Sequence, residues 1–220
     1  MRVSLTLPRV KRAYTDEIRR LAASSMTQLG RTKLTPDTLT AAGLGLCIAG
    51  AGLVYFEYLG WGFYLVGAAF FVLGSILDIL DGALARTHGL GTAFGAFIDS
   101  TVDRIGEGFM LGSIALVLMR HGNEWGVALT FAAMAGSFLV SYTRARAEAL
   151  GLRGDVGIGS RAERVVVVTA GLVLAPVGAL PWAIVVLTAT AWTTVVQRIL
   201  SVRRQLQAGY QKLPEAPPED

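Results

Sequence analysis

The stretch DILDGALARTHGLGTAFGAFIDSTVD, residues 78–103, decides how the rest of the chain is read. Asp78 and Asp81 lie three positions apart and Asp99 and Asp103 four, so each pair falls on one face of a helix. The preceding residues, Tyr58 to Leu77, contain no Asp, Glu, Lys or Arg. That length of apolar sequence is what a bilayer-crossing helix needs. The four carboxylates therefore lie inside or beside membrane helices, where an ionisable group is costly unless it is paired or coordinated.

Working outward, Thr38–Phe56 and Trp125–Thr143 are likewise free of charged residues. Val165–Gln197 is too long for one span, and Pro176, Gly178 and Pro181 near its middle divide it into two helices. One more helix falls between Gly91 and Met119, with Asp99, Asp103, Arg104 and Glu107 in its first half. The expected architecture is all-α, six transmembrane helices preceded by an amphipathic juxtamembrane helix. Composition agrees: 53% of the 220 residues are hydrophobic and 16% charged, against about 25% charged in soluble domains. Disordered, collagen-like and disulfide-scaffold classes are excluded by the apolar content and the single cysteine. Cys47, in an apolar run, reads as a buried packing residue. Gly43, Gly45, Gly50 and Gly52 suit close helix packing.

The basic residues orient the spans. Arg2, Arg9, Lys11, Arg12, Arg19, Arg20, Arg31 and Lys33 precede the first, and five arginines lie between the fourth and fifth. Arg198, Arg203, Arg204 and Lys212 follow the sixth, whereas the opposite connections hold only Arg120. This bias places both termini, and the aspartates with them, on the cytoplasmic side of the plasma membrane. Residues 1–33 read as a cytoplasmic amphipathic segment lying on the anionic leaflet, 34–206 as the helical domain, and 207–220 as a disordered tail. No signal peptide is expected, and no internal repeat is seen in the sequence. Trp61, Trp125 and Trp182 fall at the outer interface as an aromatic belt, and His88 and His121 read as solvated loop residues.

Four clustered acids repel one another unless a cation holds them. An all-oxygen set favours a hard divalent ion, magnesium foremost because it binds through a few carboxylates plus substrate phosphates. No matching His/Cys cluster supports zinc. Gly82 and Gly95 permit close approach of a ligand or helix, and Arg86 can clamp a phosphate bidentately. Glu107, one turn beyond Asp103, is expected to pair with Arg104.

The whole pattern, D-x2-D-G-x2-A-R-x8-G-x3-D-x3-D over Asp78, Asp81, Gly82, Ala85, Arg86, Gly95, Asp99 and Asp103, resembles the signature of the CDP-alcohol phosphotransferases. The resemblance extends to the six-helix layout and the basic amphipathic start. It implies transfer of a phosphoryl-linked group from a CDP-alcohol to an acceptor hydroxyl, with release of CMP. It further implies two magnesium ions (manganese possible) on Asp78, Asp81, Asp99 and Asp103, with Asp103 as general base. The residues alone do not separate Asp103 from Asp99 in that role. By the same resemblance, Gly82, Arg86 and Thr92 contact the CDP moiety. So does Asp37–Thr40 (Asp37, Thr38, Leu39, Thr40), although the TPDTLT run also satisfies the rules for a helix start. A homodimer is implied too, and no nucleic-acid partner is expected.

The acceptor is read from SYTRARAEALGLRGDVGIGSRAERVVVV, residues 141–168. Five arginines on the same membrane face as the aspartates suit an anionic acceptor. The segment resembles the corresponding stretch of bacterial phosphatidylinositol phosphate synthases, a branch of that family. The implied donor is CDP-diacylglycerol and the implied acceptor a phosphorylated polyol, inositol 1-phosphate, its phosphate bound by Arg144, Arg164 and Arg198. Arg144 stands where lysine is more usual, which keeps the charge and changes the geometry. Glycerol 3-phosphate, the acceptor of phosphatidylglycerophosphate synthases, is the alternative. A membrane transporter with midplane carboxylates is a different class, whose repeated halves and broken helices are missing here.

Overall fold

The computed structural model describes residues 36–87 and 92–210, with only the backbone for 36, 37, 81–87, 209 and 210. Six α-helices and no strand occur among the described residues: α1 (Pro36–Tyr55), α2 (Gly62–Thr87), α3 (Ala93–Arg120), α4 (Glu124–Ala149), α5 (Arg161–Val173) and α6 (Leu180–Tyr210). Short 3-10 turns at Glu57–Leu59 and Ala175–Val177 join α1 to α2 and α5 to α6. The expected amphipathic segment at 1–33 lies outside the described residues, and of the expected disordered tail at 207–220 the first four residues instead continue α6 while the rest lie outside.

Four helices, α1, α2, α4 and α6, are long and apolar enough to cross a membrane. The other two depart from the six-span expectation for different reasons. At 28 residues α3 has the length, but Asp99, Asp103, Arg104 and Glu107 break its apolar run. At 13 residues α5 rises only about 20 Å, less than the roughly 30 Å of a bilayer core. The division of Val165–Gln197 is as expected: α5 stops at Val173, and Gly178 turns the chain in a left-handed conformation at φ +78°.

Helix ends are set by local chemistry. Thr92 Oγ1 accepts the Gly95 N–H at the start of α3, and Asn123 Oδ1 the Gly126 N–H at the start of α4. Ser160 and Glu163 form a reciprocal capping box that fixes where α5 begins.

The first two helices meet backbone to backbone. A Cβ on Gly67 would stand 2.6 Å from Val54 Cγ2, and one on Gly74 2.6 Å from the Gly43 carbonyl oxygen. A Cβ on Gly50 would meet the Gly67 carbonyl oxygen at 2.8 Å. Gly43 and Gly50 thus serve the close packing expected of them. Gly45 and Gly52 do not, since a Cβ added at either would meet nothing within 4 Å. The core gathers around Val54, Met110, Leu111, Ile114, Leu172, Ile184 and Leu187, contributed by α1, α3, α5 and α6, with Cys47 buried among them. Leu73, Ile76, Phe109, Leu116, Phe131, Val186 and Ile199 point outward and exposed. An apolar exterior over an apolar core is what a lipid-facing bundle requires.

At the end of the bundle away from the aspartates, Glu57 is buried and accepts from Arg120 Nη1 at 2.8 Å. Arg120 also donates to the Tyr55 carbonyl and lies over the Tyr55 and Tyr58 rings at 4.7 and 4.6 Å. His121, expected to be solvated, is exposed but stands 3.4 Å from Glu57. A carboxylate buried at that turn draws both basic neighbours to it. Trp125 and Trp182 pack together at the same end, 5.9 Å between ring centroids, and both remain exposed.

A carboxylate–arginine centre at one end of the bundle

The C-terminal half of α2, the N-terminal half of α3 and the first turn of α5 converge at one end of the bundle. Asp78 is buried and Asp99 and Asp103 are half-buried. One carboxylate oxygen from each of the three lies within 4.8 Å of the others. Three hard oxygen donors so close, drawn from two helices, form a set that can hold a divalent cation. Asp81 lies one turn after Asp78 on α2, and its side chain is outside the described atoms, as is that of Arg86.

Two arginines enter from α5. Arg161, at its first position, donates through Nη1 to Asp78 Oδ2 and pairs through Nη2 with Asp103 Oδ1. Arg164, one turn later and buried, makes a bidentate pair with Glu107: Nε to Oε1 at 2.7 Å and Nη2 to Oε2 at 3.0 Å. Its Nη1 donates to the Gly159 carbonyl at 3.0 Å. Glu107 was expected to pair with Arg104. Arg104 instead donates to the Ser100 carbonyl and lies 3.5 Å from Asp103. Burial decides the exchange, because Arg164 has no water to replace a lost partner. A cavity of about 20 Å³, lined by Cys47, Ser75, Asp78, Asp103, Glu107 and Arg164 among others, adjoins the cluster. It is room for one water-sized group.

The other expected phosphate ligands are placed differently. Arg198 is buried, but its Nε donates to the Val156 carbonyl at 2.9 Å and its Nη1 to the Val140 carbonyl. It thereby ties both α4 and the loop between α4 and α5 to α6. The same loop is held by Gly159 N–H donating to Thr194 Oγ1 at 2.8 Å and by Gln205, which bonds both backbone groups of Arg153. Gly157 packs directly on Thr194 at φ +124°, a conformation and a contact that a side chain would disturb together. Arg144 pairs with Glu148 at 2.8 Å on the surface, both side chains more than half exposed. Within the first turn of α1, Leu39 and Thr40 are buried and Thr38 is exposed. Thr92, expected to contact nucleotide, caps α3. Arg161 bridging the aspartates is the contact sequence reasoning missed. Its signal was available in the RAER run, which puts Arg161 and Arg164 on one face at the start of a capped helix.

Comparison with known proteins supplies the family. The family model described as CDP-alcohol phosphatidyltransferase matches residues 33–196. The chain is 41% identical over 181 residues to a phosphatidylinositol phosphate synthase of Mycolicibacterium smegmatis, covering 79% of each chain. It is 38% identical over 182 residues to an archaetidylinositol phosphate synthase of Methanothermobacter thermautotrophicus, covering 80% of this chain and 87% of that one. Among solved structures, the phosphatidylinositol phosphate synthase of Mycobacterium tuberculosis superposes with TM-score 0.74 at 34% identity. The CDP-DAG-bound form covers 83% of this chain and 94% of that one, and the form with manganese and citrate covers 83% and 88%.

Proposed function

The chain belongs to the CDP-alcohol phosphatidyltransferase family, and from that membership we propose that it is a phospholipid-synthesising membrane enzyme. It transfers the phosphatidyl group of CDP-diacylglycerol to the hydroxyl of inositol 1-phosphate, releasing CMP and leaving phosphatidylinositol phosphate. The observation that carries the reading is the meeting of Asp78, Asp99 and Asp103 within 4.8 Å, with Arg164 of α5 fixed beside them by Glu107. The mycobacterial and archaeal relatives, named for inositol-phosphate products, favour this acceptor over glycerol 3-phosphate.

The all-carboxylate donor set suits magnesium or manganese, with Asp78, Asp81, Asp99 and Asp103 as the ligands of two ions. When bound, such ions neutralise the pyrophosphate and the departing CMP. The chain's own residues do the rest by position and charge. Asp103 takes the proton of the acceptor hydroxyl as its oxygen attacks the phosphorus. Gly82, Arg86, Thr92 and Asp37–Thr40 hold the CDP moiety. Arg164 commits three of its five N–H groups to Glu107 and Gly159. The remaining two, one on each terminal nitrogen, meet the acceptor phosphate in a fork. Arg144 and Arg198 add positive charge around the same mouth.

The same reading takes α3 as a fifth span and α5, lengthened to 17 residues by the turn that ends at Val177, as a short sixth, in a membrane domain of residues 34–206 with its site on the cytoplasmic side of the plasma membrane. Both termini lie on that side, with 1–33 as the juxtamembrane segment and the tail following the end of α6 at Tyr210. The working unit is a homodimer.

The test is CMP release by purified protein with CDP-diacylglycerol and magnesium, with inositol 1-phosphate, glycerol 3-phosphate, free inositol and serine offered separately. Turnover with inositol 1-phosphate, abolished in Asp103→Asn, is the expected result. Turnover with glycerol 3-phosphate instead would keep the mechanism and overturn the acceptor.

A further inference from the structure

Two arginines one turn apart on α5 are held in opposite ways. Arg164 is buried, gripped by Glu107 on one edge and by the Gly159 carbonyl on the other. Arg161 keeps about a third of its side chain exposed, and the contacts described for its guanidinium are with Asp78 and Asp103. Those are two of the three residues whose carboxylate oxygens converge. It stands at the first position of its helix, directly after the Ser160 cap. Its flexible stem can therefore turn without moving α5.

A guanidinium and a divalent cation within a few ångströms of each other repel strongly in a half-buried site. They also compete for the same oxygens. We infer that Arg161 is an exchangeable counter-cation. It holds the α2 and α3 aspartates together in the metal-free protein, and yields Asp78 and Asp103 when a divalent ion binds. The released guanidinium then joins Arg164 in facing the anionic acceptor. Two consequences follow: metal and acceptor phosphate bind with positive coupling, and Asp103 is freed of Arg161 only in the metal-loaded protein that needs it as a base. The inference rests on the proposed metal and acceptor reading and adds the residue that links the two sites.

The experiment is Mn2+ binding to the detergent-solubilised full chain, followed by electron paramagnetic resonance with and without inositol 1-phosphate. In the wild type, the acceptor should tighten Mn2+ binding by at least about fivefold, the lower end of ordinary coupling between sites. Arg161→Gln should bind Mn2+ more tightly than the wild type without acceptor, and lose most of the acceptor effect. It should also melt at a lower temperature in chelator, where its aspartates repel. Arg161→Lys should restore stability in chelator. Equal or weaker Mn2+ binding by Arg161→Gln, or a wild-type affinity indifferent to the acceptor, would overturn the exchange. The second arm needs no variant and stands even if Arg161→Gln fails to fold. Wild-type protein that binds no Mn2+, or Asp103→Asn that binds it unchanged, would instead sink the metal reading beneath the exchange.

Discussion

Glu107 has no place in the eight-residue signature, yet it fixes the orientation of Arg164 through two bonds of 2.7 and 3.0 Å. Hydrogen bonds to charged groups contribute about 1.5–3 kcal/mol each. Glu107→Gln keeps the shape but surrenders the charge and one acceptor oxygen. The Michaelis constant for the phosphorylated acceptor should then rise roughly 10- to 100-fold, with that for CDP-diacylglycerol nearly unchanged. Steady-state kinetics with each substrate varied in turn checks this, and an equal rise in both constants would refute a role at the acceptor alone. The pairing was hidden in the sequence because helical neighbours suggest Arg104, whereas the true partner lies 57 residues away on another helix. Asp78, Asp99 and Asp103 were legible for the opposite reason: acids at helical spacing against apolar runs are conspicuous without any tertiary knowledge. Arg198 was legible as a charged residue, but its bonds to the Val140 and Val156 carbonyls depend on how the α4–α5 loop folds back, which no local pattern records.

At the scale of the helix, the seam between α1 and α2 is set by glycines spaced seven apart on each side, Gly43 with Gly50 and Gly67 with Gly74. The seam carries Asp78 one turn beyond Gly74, so its closeness positions the site. Gly74→Ala forces a methyl against the Gly43 carbonyl and Cys47 and should cost about 1–3 kcal/mol. The readout is a lower melting temperature in detergent. Gly52→Ala, which meets nothing within 4 Å, should leave it unchanged. The break between α5 and α6 was readable from Pro176, Gly178 and Pro181 because these residues act through their own backbones. The shortness of α5 was not, since the capping box that starts it at Arg161 leaves only 13 residues before the turn. The acidic half of α3 likewise defeats a purely apolar criterion, because the residues that make the site are the ones that spoil the run.

For the whole molecule, charge is divided between two ends. A compact knot of Glu57, Arg120 and His121 closes one, and the carboxylate–arginine centre occupies the other. Among the described residues of these two groups, only the second has more acidic than basic side chains: Asp78, Asp99, Asp103 and Glu107 stand against Arg104, Arg161 and Arg164, with Asp81 one turn away. Added Mg2+ or Mn2+ should therefore stabilise the folded chain by mass action, about 2.7 kcal/mol at a hundred times the dissociation constant. Chelation should abolish CMP release and lower the melting temperature, and restoring either ion should reverse both. Thermal unfolding followed across a metal titration decides it, and a melting temperature indifferent to the ion would contradict a metal centre. The division into ends also bears on how the chain is made. The aspartates on α2 and α3 leave the ribosome before their partners, since Arg161 follows Asp103 by 58 residues. At about 5–20 residues per second the α2–α3 hairpin waits roughly 3–12 s for the cations of α5. During that interval its acidic half is compensated only in part, by Arg104 beside Asp103. Final seating of α3 is thus a late event in biosynthesis, completed only when the shortest helix of the bundle arrives.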